Sequence, residues 1–118
     1  LEALPIEIVS VDIYRENDGL AMSSRNTRLS QKQRLAAPEI YQTLLKSKKL
    51  FENGDIAQVK SFVKNEFIQN AELDLEYYDI ADIETLKPVN EINPNTKYRA
   101  FIAVFADKVR LIDNIALN

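Results

Sequence analysis

The sequence contains neither cysteine nor histidine. Those two absences together remove disulfides, thiol nucleophiles, imidazole general bases and the usual zinc ligands. Chemistry carried by this chain must therefore rest on carboxylates, hydroxyls, amides, lysine and arginine, and no metal site is predicted. No apolar run approaches the roughly 18 residues of a membrane span, and the first residues form neither a basic start nor a signal-like apolar stretch. No membrane partner and a cytoplasmic home are expected. A surplus of positive charge is also missing, because 15 Lys and Arg face 18 Asp and Glu for a net charge of −3. Neutralising a nucleic-acid backbone needs clustered cations, so no nucleic-acid partner is expected and any anion site must be local. Glycine occurs only at Gly19 and Gly54, and each is read as a break between elements because glycine is the default where φ must be positive.

What is present suits one domain. The 118 residues are 46% hydrophobic and 28% charged, enough for a single core and too apolar for disorder. From Ile6 to Arg15 the chain is rich in β-branched residues and is predicted as strand. Arg15 to Leu29 shows neither the helical nor the strand period and is predicted as a loop, long enough that a function is the usual reason for its length. Ser30 with Gln33 forms a capping box that starts a helix. Pro38 lies beyond the first turn, where a regular helix loses about 3 kcal/mol, so a kink or restart is expected there. Asp55 caps a second helix with the face Ile56, Val59, Val63 and Phe67.

Leu73 to Ile83 and Tyr98 to Ala106 are predicted as strands, and Phe101 to Phe105 is apolar on both faces like a central strand. Asp107-Lys108 is predicted as a tight turn into a further strand, Val109 to Ile112. The predicted fold class is α+β: a two-layer domain with a small, mainly antiparallel sheet covered by a helical hairpin.

The segment Asp18-Gly19-Leu20-Ala21-Met22-Ser23-Ser24-Arg25-Asn26 places two hydroxyls, a guanidinium and an amide just ahead of a helix. Hydroxyls donate to phosphate oxygens, and arginine offers a planar fork of donors that keeps its charge. By composition alone it reads first as a capped, solvated surface loop, since Ser-Ser-Arg-Asn occurs in many such loops by chance. Arg15, Glu16 and Asp18 are read as an ion-pair cluster that shapes this loop. Asp113 and Asn114 are read as turn or domain-packing residues. Tyr77, Tyr78, Tyr98 and Phe101 to Phe105 are read as core and sheet packing, and Lys46, Lys48 and Lys49 as a solvated helix end.

The run from Arg15 to Asn26, followed by Leu29-Ser30, resembles the signature of the pantothenate synthetase family. Arg110-Leu111-Ile112-Asp113-Asn114 resembles that family's C-terminal motif, and Leu75 to Asp82 with Glu84-Thr85-Leu86 its middle strand and turn. The resemblance implies a ligase that joins pantoate to β-alanine through a pantoyl-adenylate, converting ATP to AMP and pyrophosphate. It implies that residues 1–118 correspond to the C-terminal lid domain, with 1–11 the last strand and linker of an N-terminal nucleotidyltransferase domain. ATP binding by Tyr14, Met22, Ser23, Ser24 and Arg25 is implied, with Arg25 the catalytic cation. Mg would arrive as the nucleotide complex, with no ligand in this chain. Pantoate and β-alanine would bind in the full-length enzyme, a homodimer through its N-terminal domain, and this chain alone would be inactive. Tyr14 stands where the family usually has valine, and Ser10, Asp12 and Ile13 depart from its Gly, Pro and Thr. A second class of function also fits, a stand-alone binding or interaction module that kept the fold without the enzyme.

Overall fold

A computed structural model describes residues 14–118. The readings placed on 1–13, including most of the predicted strand from Ile6, lie outside the described residues. Ser30 opens helix α1 (Gln31–Ala36): its Oγ accepts from the Gln33 N–H at 3.1 Å while Gln33 Oε1 accepts from the Ser30 N–H at 2.8 Å. The capping box is thus complete. The restart predicted at Pro38 is present, since Pro38 sits at the N-cap of α2 (Glu39–Phe51). There its missing N–H is one of the donors that a helix start leaves without a partner anyway. Asp55 caps α3 (Ile56–Ile68) by accepting from the Gln58 N–H at 3.1 Å, and Ile56, Val59, Val63 and Phe67 are its buried residues, as the spacing predicted.

Three strands form the sheet: β1 (Asp74–Asp82), β2 (Tyr98–Ala106) and β3 (Val109–Ala116), in the order β1-β2-β3 with both pairings antiparallel. Asp107 takes φ +54° between β2 and β3, a left-handed conformation typical of two-residue hairpin turns. Alternation along β2 sends Ala100, Ile102 and Val104 toward the helices, where they join Leu44, Val59 and Val63 in the main core. Phe101 packs with Ala81, Tyr77 and Ile112 in a second, smaller cluster. The aromatic residues are packing residues as read: Tyr98 is buried with its ring edge-on to Phe51, centroids 5.6 Å apart. Lys48 and Lys49 are exposed, and Lys46 lies 3.7 Å from Glu66 in an exposed pair that adds little stability.

Two expectations are corrected. β3 continues past Ile112 to Ala116, so Asp113 and Asn114 are buried strand positions and not turn residues. The polar pair breaks the apolar pattern from which the strand was read, and its side chains are satisfied inside the fold instead. The stretch from Arg15 to Leu29 is also not devoid of structure. It holds an antiparallel bridge between Arg15 and Ala21 and a 3-10 helix, Ser24–Arg28.

Candidate functional site

The bridge and the 3-10 helix are built from local hydrogen bonds. Met22 N–H donates to the Tyr14 carbonyl at 2.7 Å, Glu16 N–H to Leu20 at 2.8 Å and Gly19 N–H to Glu16 at 2.9 Å. A narrow hairpin results, with Gly19 at φ +94°. Leu20, 3% exposed, is its apolar anchor in the main core. Ser23 then caps the 3-10 helix, its Oγ accepting from the Arg25 N–H at 3.1 Å. Thr27 Oγ1 donates to the Ser24 carbonyl at 2.9 Å, and Asn26 Nδ2 donates back to the Ala21 carbonyl at 3.0 Å. This last bond ties the turn to the hairpin, a role the sequence reading did not give Asn26.

Met22, Ser23, Ser24 and Arg25 come together on this one turn, and all four are exposed. The Arg25 guanidinium donates to the Arg110 carbonyl of β3 at 3.4 Å and pairs with no carboxylate among the described residues. Its charge is therefore available to an anion. Tyr14 lies beside the turn through its carbonyl, which the Met22 N–H already engages, and its side chain is 76% exposed.

The predicted cluster of Arg15, Glu16 and Asp18 does not form. Asp18 pairs instead with Arg34 of α1 at 2.7 Å, and that hydrogen bond holds the Asp18 carboxyl below its usual range. Arg15 crosses to β3. Its two terminal nitrogens donate to the two Asp113 oxygens at 2.7 and 2.9 Å, and they reach the Gly19 and Asn114 carbonyls at 3.1 and 3.3 Å. The guanidinium also lies 3.9 Å from the centroid of the Tyr41 ring. Asp113 is 2% exposed. Burial pushes its carboxyl up from the ordinary carboxylate value, against the opposing pull of Arg15 and the Asn114 N–H.

An open cleft of about 420 Å³ runs beside this pair, lined by residues that include Arg15, Tyr41, Lys48, Arg99 and Asn114. Two of its three cations are engaged, Arg15 as above and Arg99 with Asn114 Oδ1 at 2.6 Å. The exposed turn is therefore the better candidate for binding an anion. No helix among the described residues is long and apolar enough to cross a membrane. No group of three or more carboxylates stands together among the described residues to hold a metal ion.

Comparison with known proteins agrees with the motifs at both ends. The pantoate–β-alanine ligase family model matches residues 2–116. The chain is 50% identical to the pantothenate synthetase of Christiangramia forsetii over 115 residues, covering 98% of this chain and 41% of that protein. It is 40% identical to that of Fervidobacterium nodosum over 117 residues, again 98% and 41%. It thus spans about two fifths of the length of these curated relatives. Among solved structures, pantothenate synthetase from Thermus thermophilus superposes with a TM-score of 0.78 at 32% identity, covering 91% of this chain and 38% of that one. Pantoate–β-alanine ligase from Francisella tularensis, solved with β,γ-ATP and β-alanine, gives 0.53 at 25% identity, with 89% and 31% covered. The α+β fold predicted from the sequence is the fold of these enzymes' matching region, and the chain belongs to the pantoate–β-alanine ligase family.

Proposed function

We propose that this chain is the C-terminal lid domain of a ligase that condenses pantoate with β-alanine, and that its turn Met22–Arg25 closes over ATP. The observation that carries this reading is the exposed Arg25, whose guanidinium meets one backbone carbonyl at 3.4 Å. A carbonyl at that distance is easily exchanged for a phosphate, because bonds to charged acceptors are roughly twice as strong as neutral ones.

In the proposed reaction a pantoate carboxylate oxygen attacks the α-phosphorus of ATP. The bond from that phosphorus to the β-bridging oxygen breaks, and pyrophosphate leaves with its electron pair. The amine of β-alanine then attacks the acyl carbon of the pantoyl-adenylate and AMP departs. Arg25 acts in the first step, where it opposes charge building on the α-phosphate and the leaving pyrophosphate. Ser24 and the Ser23 hydroxyl proton supply neutral donors to the same oxygens, Met22 packs against the nucleotide, and Tyr14 lines its edge. ATP reaches the site as its Mg complex, with the metal's protein ligands outside this chain, and the roles of these side chains do not depend on the metal. The pantoate and β-alanine pockets, and the contacts of a homodimer, belong to an N-terminal domain, so the chain alone makes no pantothenate. The whole enzyme is cytoplasmic.

Single-turnover pyrophosphate release in the full-length enzyme tests this. Arg25→Ala should slow it by about 10²–10³, the range for removing one preorganised donor. The KM for ATP should change less. Arg25→Lys keeps the charge without the fork and should recover part of the rate. Release at the wild-type rate in Arg25→Ala would remove this residue from the mechanism.

A further inference from the structure

The two segments that mark this sequence, 15–26 and 110–114, lie at opposite ends of the described chain, and the structure joins them. Arg15 stands at the open end of the hairpin, bridged to Ala21 just before the Met22–Arg25 turn, and Asp113 is a buried residue of β3, 98 positions later. We propose that Arg15 and Asp113 form a latch that fixes the base of the turn on β3, which makes both of them positioning residues for the nucleotide chemistry. The functional half of this inference rests on the ligase reading; the structural half does not.

The geometry separates the base of the turn from its tip. At the base, Arg15 makes a bidentate ion pair with an acceptor that is 2% exposed. Its remaining reach goes to the Gly19 and Asn114 carbonyls and to the Tyr41 ring. Asp113 is further fixed because its Oδ1 accepts from the Asn114 N–H at 2.7 Å. Arg15 thus holds the hairpin's own carbonyl and the strand at once, through a planar fork that lysine cannot reproduce. At the tip, Arg25 rests on the Arg110 carbonyl, a neutral and exposed contact at 3.4 Å. Arg110 and Asp113 are three residues apart on one strand, about 10 Å. The turn is therefore held strongly at one point of β3 and weakly at another, so the tip can leave for phosphate while the base stays in register.

The Asp18–Arg34 pair could be a competing tether. Its side chains are 44% and 35% exposed, and exposed pairs of this kind hold little. Gly19 adds to the latch and not to that tether, because its backbone lies against Tyr41, the ring on which Arg15 rests.

Two measurements test the latch on Asp113→Asn and Arg15→Lys. The first is amide exchange of the chain without nucleotide. The Glu16, Gly19 and Met22 N–H groups, all bonded within the hairpin, should exchange about tenfold faster or more in Asp113→Asn, as local opening becomes easier. Arg15→Lys should lie between that variant and wild type. Ile102 and Val104 in β2 should keep their protection in both. Unchanged hairpin amides overturn the latch. Loss of protection in β2 as well, in both variants, also overturns it, because the pair would then hold the whole fold and not the turn.

The second measurement is turnover in the full-length enzyme. There kcat should fall by about 10–10² in Asp113→Asn, the scale of a misplaced catalytic group, with a smaller change in KM for ATP and partial recovery in Arg15→Lys. Wild-type kcat despite a loosened hairpin overturns the positioning role. A wild-type enzyme with no ATP-dependent activity sinks the ligase reading instead, and the exchange result stands apart from it.

Discussion

Gly19→Ala should be the most damaging conservative change in the hairpin, and its cost divides into two parts. Gly19 has φ +94°, and placing an L side chain in left-handed backbone costs about 1–2 kcal/mol. The new Cβ would also overlap Tyr41 Cδ2 and lie 3.1 and 3.2 Å from Cε2 and Cγ. Tyr41 cannot swing aside freely because Arg15 lies over its ring, 3.9 Å from the centroid, so an overpacking cost of about 1–3 kcal/mol applies. Together these give about 2–5 kcal/mol, a large share of the ~5–15 kcal/mol typical of a domain. Gly54 supplies the control. It has φ +82° with nothing within 4 Å of an added Cβ, so Gly54→Ala should carry only the backbone cost, about 1–2 kcal/mol. Urea unfolding of both variants measures the difference as a shift in midpoint at constant slope. Repeating Gly19→Ala in a Tyr41→Ala background should bring its cost down to that of Gly54→Ala. If Gly19→Ala costs no more than Gly54→Ala, or if removing the Tyr41 ring does not relieve it, the close approach of ring and backbone does not limit this hairpin.

Ser30→Ala breaks the capping box at α1 and should destabilise the chain by about 1 kcal/mol, read as a lower thermal midpoint; an unchanged midpoint would mean the short helix is held by other contacts. Burial pushes the Tyr78 phenol up to about 12, so the native state keeps a proton that the unfolded chain releases near its ordinary value. Stability should therefore fall as pH rises from about 10 to about 12, and ultraviolet difference titration should show a late-ionising component from Tyr78; Tyr78→Phe should remove both effects. Asp113 is also raised, by burial that outweighs Arg15, the Asn114 N–H and Arg99. The native state then holds its proton above the unfolded value of 3.8, so this group's contribution falls as pH rises through that window. Urea unfolding across the carboxylate range should show that slope in the difference between wild type and Asp113→Asn, from which the opposite contribution of Asp18, held low by Arg34, cancels; a difference of the opposite sign would mean that the ion pair outweighs burial.

What could be read from the sequence was local. The capping box at Ser30 and Gln33, the restart at Pro38, the cap at Asp55 and the turn at Asp107-Lys108 each depend on residues within a few positions of one another. All four are found where they were expected. The exposed grouping of Met22, Ser23, Ser24 and Arg25 was legible for the same reason, since contiguous residues on one turn must be neighbours. The partner of Arg15 was not. Glu16 and Asp18 are close by in sequence and drew the pairing toward themselves, whereas the acceptor is 98 residues away and carries no local signal. The full length of β3 was missed on the same residue, because a buried carboxylate inside a strand resembles a strand end until its arginine is known. The 3-10 helix was missed because Ser23 caps it without the acidic residue or apolar period that announces a longer helix.

The 98-residue separation of Arg15 and Asp113 also sets an order of events during synthesis. At about 5–20 residues per second, some 5–20 s pass between the ribosome adding the arginine and adding the aspartate. Through that interval the nascent chain already carries Met22, Ser23, Ser24 and Arg25 but has no strand on which to seat them. A message cut short before the codon for Asp113 would yield a polypeptide with every residue of the proposed nucleotide turn and without the β3 partner of Arg15. Reading the turn alone, in a truncated gene or a partial transcript, would therefore overstate what its product can do.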